Sequence, residues 1–301
     1  MGAAKFLRGL VRVSDPRRLS VIVNTGDDEQ FYGLHVSPDI DTVIYTLGGV
    51  VNREHGWGLA GESFNALDAI GRLYGKPWFN LGDRDLATHL YRTERLRAGA
   101  TLSEVTGELA TKFGVKSRII PMSDDRVHTH VKLRGKAPIP FQEYFVRGRA
   151  RGAVEKIELR GIEQARPAPE VIRTITDARA IILAPSNPFV SLGPILQLAG
   201  VREALRSVRS RVAAISPIVG GKPIKGPADK MMRGLGHEVS PLGVARLYRD
   251  FLGLCVIDNV DRRYLEPIRA LGINAIAADT IMTTPAKAAR LASVVLHALE
   301  V

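Results

Sequence analysis

The sequence predicts an α/β protein: a Rossmann-like, mostly parallel sheet with helices on both faces, plus a helical segment and a small antiparallel insertion. Three observations carry this. Short β-branched apolar runs recur, each followed by a turn and a helical pattern, the signature of βα units. Helix-start signals crowd residues 37–115. Between about 117 and 161 the pattern changes to period-two alternation, the mark of strands with one wet face.

The apolar runs lie at 19–24, 180–184, 212–215, 254–258 and 274–278. Each stops at polar or small residues: Asn24-Thr25-Gly26-Asp27, Ser186-Asn187, Ser216, Asp258 and Asp279. Ligands of open α/β sheets bind beyond the carboxyl ends of the strands, so these residues are expected to converge on one crevice. Residues 41–115 read as helical. Ser37-Pro38-Asp39 combines a cap, a proline at the first helical position and a first-turn acid, and Thr101-x-x-Glu104 is a capping box that Gly114 later closes. The alternating stretches are 127–133, 140–147 and 154–159, and the last helix spans 286–299. The expected division is a core of residues 1–116 and 166–301 with an insertion at 117–165.

The chain has 301 residues, 45% hydrophobic, enough for a sizeable core. No apolar run of about 18 residues and no secretory signal pattern are seen, so a cytoplasmic protein without membrane contact is expected. Cys255 is the only cysteine and sits in an apolar run, which excludes an internal disulfide and a thiolate metal cluster and marks it as core. The net charge of +11 suits anionic partners. The densest basic stretch, 202–211, has helical spacing and no interleaved aromatics, so it reads as a solvated helix face and no nucleic-acid partner is expected.

Four segments carry candidate chemistry. Asn24, Thr25, Asp27 and Asp28, with Asp39 and Asp41, place acids near one strand end and one helix start. Two readings stand: stabilisation of the helix dipole, or a site for a hard cation such as Mg²⁺, which takes a few carboxylates plus phosphate oxygens and water. Asp83, Arg84 and Asp85 open another helix, with His89 one turn in; Asp83 is expected to cap it, and Arg84 either pairs with an acid or clamps a phosphate. Ser186, Asn187, Pro188 and Gly193 form a strand-end loop leading into a helix N-terminus. Ser216, Gly220, Gly221, Lys222 and Lys230 repeat that device at the next strand, and the two loops together favour nucleotide or phosphate binding. His128 and His130 share a strand face without a third metal ligand and read as exposed strand residues. No Gly-x-Ser-x-Gly nucleophile elbow is present.

The strings NTGDDEQFYGLHVSPDIDTVIYTL (24–47), GDRDLATHL (82–90), IIPMSDD (119–125), APSNPFVSLGPIL (184–196), SPIVGGKPIKGPADKMM (216–232) and ADTIMTT (278–284) occur in this order. Together they resemble the 2-phospho-L-lactate transferase family of coenzyme F-420 biosynthesis, over essentially the whole chain. That resemblance implies a Mg²⁺-dependent homodimeric transferase without a covalent enzyme intermediate. A ribityl hydroxyl of the deazaflavin Fo attacks the phosphorus of a guanosine-diphosphate-linked three-carbon acid (lactate, enolpyruvate or glycerate), and GMP leaves. In this scheme Asp39 and Asp41 hold the metal or take the hydroxyl proton. Arg84, Lys222 and Lys230 meet phosphate charge, and the loops at 185–194 and 216–229 seat nucleotide and deazaflavin. The family begins with a strand and a Gly-Gly-x-Gly-x-x-Lys loop. Here Met1 takes the variable position, followed by Gly2 and Lys5, so the first strand is expected to lie upstream of a start site assigned too late. The alternative function is a nucleotide or nucleotide-sugar-binding regulator of the same fold without turnover. A nicotinamide oxidoreductase fits poorly, because Asn24 stands where an acid is required.

Overall fold

The computed structural model describes residues 2–300. Met1, assigned above to the glycine loop, lies outside them. The chain opens with helix α1 (Gly2–Leu10), so Gly2 and Lys5 form a helical first turn and not a free loop. Strand β1 (Ser20–Val23), the hairpin of β2 (Glu29–Phe31) and β3 (Leu34–Val36), and helices α2 (Pro38–Leu47), α3 (Asn65–Tyr74), α4 (Asp83–Arg97) and α5 (Leu102–Lys112) follow. The stretch read as helical thus carries helices at each start signal, joined by irregular loops at 48–64 and 75–82. The Thr101 capping box forms as expected: Thr101 Oγ1 accepts from the Glu104 amide and Glu104 accepts from the Thr101 amide. Such a cap is worth about 1 kcal/mol.

Strand β4 (Arg118–Pro121) pairs in parallel with β1, Ser20 opposite Arg118 and Val23 opposite Pro121. It therefore belongs with the parallel layer, and the antiparallel part begins later than residue 117. That part consists of β5 (His128–Leu133), β6 (Ile139–Pro140) and β7 (Val154–Arg160) in the order β6-β5-β7. The alternation at 140–147 is not a strand: after Pro140 the chain winds into a wide helical turn at Glu143–Arg147, burying Phe141 and Tyr144. Proline has no amide to continue the ladder.

The second half runs through α6 (Val171–Asp177), β8 (Ile181–Leu183), α7 (Gly193–Gln197), α8 (Val201–Ser207), β9 (Val212–Ile215), and the two-residue strands β10 (Ile218–Val219) and β11 (Lys222–Pro223). Helices α9 (Ala228–Gly234) and α10 (Pro241–Leu247), β12 (Leu254–Asp258), α11 (Leu265–Arg269), β13 (Asn274–Ala278) and α12 (Pro285–Ala298) complete it. Strands β8, β9, β12 and β13 form a parallel sheet in the order β13-β12-β9-β8. Four of the expected runs make this sheet, and the first, at 19–24, makes the β1–β4 pair.

Alternation within the buried strands explains the layers. Ala213, Ile215, Leu254 and Val256 face a core built with α1, α2, α5 and α12, whereas Val212, Ala214, Cys255 and Ile257 face another built with α6, α8 and α10. Both faces are covered, which is why these strands read as unbroken apolar runs. The β1–β4 pair spans the same two cores, Ile119 on one side and Ile120 on the other. A smaller core of Val131, Leu133, Phe141, Tyr144, Val154, Val190 and Met231 joins the antiparallel sheet to the main body. Among the described residues, no helix is long and apolar enough to cross a membrane.

Helix α1 has no slack against α12. A Cβ on Gly9 would fall 2.2 Å from the Ala288 carbonyl carbon, so contact between the two helix backbones needs glycine here. Gly9→Ala is expected to cost about 1–3 kcal/mol through overpacking, read as a lowered midpoint in urea unfolding, whereas substitution at the unobstructed Gly107 is expected to leave it nearly unchanged.

Candidate active site

The carboxyl ends of β1, β8 and β9 and the start of α2 open on a cavity of about 580 Å³. This lies within the range of small-molecule sites. Its wall includes Gly2 and Lys5 from α1, Asp27, Asp39, Asp41, Asp85 and His89, the loop residues Ser186 and Asn187, and Ser216. The convergence expected of strand ends thus holds for Ser186, Asn187 and Ser216; Asp258 and Asp279 are engaged elsewhere. Asp258 accepts from the Thr280 amide and hydroxyl, and Asp279 pairs with Lys287.

Asn24 ties three parts of the wall together. Its Oδ1 accepts from the Gly26 amide, and its Nδ2 donates to Asp39 Oδ2 at 3.0 Å and to the Val190 carbonyl at 3.2 Å. One side chain therefore links the end of β1, the first turn of α2 and the loop after β8. Asp27 is buried with its Oδ1 lacking any hydrogen-bond partner. Burial, then the charge of Asp39, push its carboxyl well above the ordinary range. The two carboxyl groups share one wall of the cavity, where a hard cation would find oxygen ligands. Asp28 points away from the cavity: its Oδ2 accepts from Ser37 Oγ at 2.7 Å and lies 3.0 Å from His35 Nε2. Ser37 is the cap position of α2 yet spends its hydroxyl on Asp28, not on the helix amides. Thr25 is buried and also outside the wall.

Asp41 has a different surrounding. Arg92 of α4, with no exposed surface, holds it by both oxygens, Nη2 on Oδ1 and Nη1 on Oδ2. Its charge is already neutralised, so Asp41 fits the part of a fixed anchor and does not fit that of a metal ligand or proton acceptor. Arg92 Nη1 also reaches His89 Nδ1 at 3.3 Å. Arginine has no lone pair to offer, so Nδ1 accepts and the imidazole carries its proton on Nε2. Burial pulls His89 down to about 4, keeping the ring neutral. Arg92 was not among the sequence candidates; its signal is the i, i+3 spacing from His89, which faces it toward the same side of the helix.

The Asp83-Arg84-Asp85 knot divides its tasks in a way the sequence left open. Asp83 caps α3, not its own helix, accepting from the Asn65 and Ala66 amides and from Ser63 Oγ, and these bonds hold its carboxyl down at about 2. Arg84 is exposed and donates to the Ala60 carbonyl at 2.6 Å. The α4 amides of Arg84 and Asp85 donate to the Glu62 carboxylate, which occupies that helix N-terminus as an anion would. Only Asp85 and, one turn on, His89 reach the cavity.

Gly220 and Gly221 also serve a different purpose. With φ of +56° and +78° they make the two-residue turn between β10 and β11, a conformation open mainly to glycine. Lys222, next in that hairpin, is exposed and lies off the cavity wall, and Lys230 donates to the Ala150 carbonyl. Lys225 takes the wall position, with Lys5 opposite in sequence. Asn187 is kept in place by its own turn, Oδ1 accepting from the Phe189 amide, while Pro188 and Gly193 shape the loop from outside the wall. Trp57, Phe79, Phe141 and Phe145, the last two stacked at 5.4 Å, add flat apolar surface. Thr280 to Thr283 close the far side. No group of three or more histidine, cysteine or acidic side chains is placed to hold a metal among the described residues. His128 and His130 lie on the half-buried face of β5.

Removing the Asp41 carboxylate leaves a buried guanidinium uncompensated. Asp41→Ala is expected to lose about 3–5 kcal/mol of stability, measured by urea unfolding, and the double change Asp41→Ala/Arg92→Met is expected to regain most of it. Equal losses in the single and double variants would show that the pair is not what Asp41 contributes.

Comparison with known proteins agrees with this architecture. The family model described as 2-phospho-L-lactate transferase CofD matches residues 1–295. A phosphoenolpyruvate transferase of Kitasatospora aureofaciens is 42% identical over 307 aligned residues, covering 100% of this chain and 95% of its own. A 2-phospho-L-lactate transferase of Methanosarcina mazei is 38% identical over 297 residues, covering 99% and 97%. A crystal structure from Bacillus halodurans superposes with a TM-score of 0.63 at 15% identity, over 98% of this chain and 96% of that one, which supports the fold alone. The chain therefore belongs to the CofD family, the transferases of coenzyme F-420 biosynthesis.

Proposed function

We propose that this protein transfers a three-carbon phospho-acid group, phosphoenolpyruvyl or phospholactyl, from a guanosine-diphosphate-linked donor to the ribityl hydroxyl of the deazaflavin Fo, releasing GMP. The observation that carries this reading is one cavity walled by two carboxyl groups, Asp27 and Asp39, together with Lys5, Lys225 and several aromatic rings. A diphosphate joined to a flat base, beside a flat tricyclic acceptor, needs that combination of charge and apolar surface. The relatives' names support the donor class, since the two named above are a phosphoenolpyruvate and a 2-phospho-L-lactate transferase.

Direct phosphoryl transfer asks little covalent chemistry of the protein and much positioning. Asp27 and Asp39 fit a Mg²⁺ ion, because a carboxyl oxygen of Asp27 is buried without a partner and the remaining ligand places suit phosphate and water. A Mg²⁺ held there supplies charge neutralisation at the diphosphate. Asn24 holds Asp39 through one carboxyl oxygen, Oδ2. Lys5 and Lys225 provide positive charge in the wall, and the net charge of +11 favours the approach of an anionic donor.

Incubation with Fo, the guanylylated donor and Mg²⁺ tests the proposal. New anionic deazaflavin plus GMP is the expected result; tight nucleotide binding without product points instead to the non-catalytic regulator. Asp27→Asn and Asp39→Asn are expected to weaken Mg²⁺ by about 10–100-fold or more, seen as a raised Mg²⁺ half-saturation of turnover. Competition between the enolpyruvyl and lactyl donors identifies the preferred acid.

A further inference from the structure

We propose that Asp85 is the catalytic base that takes the proton from the attacking acceptor hydroxyl, in a niche completed by Tyr45 and His89. This inference rests on the transferase reading above. Three side chains lining the cavity carry buried polar atoms without a well-formed hydrogen bond: Asp85 Oδ1, His89 Nε2 and the Tyr45 hydroxyl, the last near enough to Asp85 to act on its carboxyl. The residues are 8%, 2% and 1% exposed. Leaving even one such atom unsatisfied costs about 1–3 kcal/mol, so three together mark a place built for a polar ligand. Their chemistry is complementary: a carboxylate accepts, a neutral imidazole donates from Nε2, and a phenol does either. A polyhydroxyl chain matches that set, and a phosphate does not, because a carboxylate repels it.

Asp85 alone among the three is equipped to accept a proton at neutral pH. Burial, then the charge of Asp41, raise its carboxyl to about 7. The groups facing it are Asp41 and Tyr45 from α2, Glu62 from the loop before α3, and Arg92 on its own helix, with His89 one turn on. Asp41 is already bound by Arg92, and Tyr45 is pushed up by burial and by the nearby acids, so neither serves as the acceptor. In the step, the hydroxyl proton passes to the Asp85 carboxylate while its oxygen forms a bond to the acid-bearing phosphorus. The bond from that phosphorus to the bridging oxygen breaks, and GMP leaves with the electron pair.

Steady-state kinetics of the wild type, Asp85→Asn, Asp85→Glu and Tyr45→Phe across pH 5.5–9 test this, with melting temperatures taken alongside. Wild-type kcat is expected to fall as pH drops below about 7. Asp85→Asn is expected to lose about 100–10,000-fold in kcat, with donor KM unchanged, the acid-side fall gone, and a melting temperature at pH 8 no lower than wild type, since a disfavoured buried charge is removed. Asp85→Glu is expected to restore part of the rate, and Tyr45→Phe to raise the KM for the acceptor without moving that for the donor. An Asp85→Asn enzyme that keeps wild-type kcat, or that keeps the acid-side fall, overturns the assignment while leaving the transferase reading intact. A wild-type protein that makes no product at any pH removes both.

Discussion

The buried pair of Asp41 and Arg92 is the constraint from which the site follows. A guanidinium with no exposed surface is tolerable only with its charge matched, and Asp41 matches it from the first turns of a neighbouring helix, taking Nη1 and Nη2 while Nε is left without a partner. The pair locks the rotation of α2 against α4. Once that rotation is set, Tyr45, one turn beyond Asp41, and Asp85 and His89, within two turns before Arg92, are turned to the same cavity. Arg92 also selects the tautomer of His89 by leaving Nδ1 no role except acceptor. A charge pair in this place contributes little net stability over an apolar substitute of equal volume. What it provides is orientation.

Acidic residues in this protein divide into those made harmless and those left exposed to chemistry. Asp83 is satisfied by the start of α3, Glu62 by the start of α4 and Asp41 by Arg92, while Asp28, off the cavity wall, is held by Ser37 and His35 through one oxygen and keeps the other without a partner. Asp27, Asp39 and Asp85 line the cavity, and Asp27 and Asp85 each keep a buried oxygen without a well-formed hydrogen bond. On the proposed reading, that division sets the cation nearer the turn after β1 and the acceptor hydroxyl nearer α4. Transfer between a charged donor and a neutral hydroxyl acceptor requires such a separation, because a single field cannot favour both partners. Trp57, Phe79, Phe141 and Phe145 supply apolar contact that either partner's ring system can use.

Glycine and proline motifs were the most ambiguous signals in the chain, and their roles illustrate why. Gly220 and Gly221 permit a tight hairpin turn, and Gly82 leaves room for the Glu62 carboxylate that caps α4. Each looks, in one dimension, like a loop prepared for phosphate. The difference lies in what occupies the space beside the glycine: in these cases it is the chain's own strand or carboxylate. Gly2 differs in a useful way, since its place in the cavity wall depends on close approach to the Pro185 carbonyl, only 2.1 Å from where a Cβ would stand.

The chain's periodicities determined its layers. Buried β-branched runs, capping residues and the switch to alternation follow from local geometry, so the parallel sheet, the helices and the antiparallel part were legible, with Pro140 ending the alternation early for want of an amide. Residue types at strand ends likewise marked Asp39, Asn187 and Ser216 as wall residues, and Cys255 as core. Only the tertiary structure decided which charged groups face the cavity. Arg84, Lys222 and Lys230 have the right chemistry and are turned to solvent or to backbone carbonyls, while Arg92 and Tyr45 are drawn to the site through a contact made across 51 residues of sequence and through burial. The physical reason is that a pattern reports which face of an element is apolar, whereas the partner of a buried charge is set by how two faces meet.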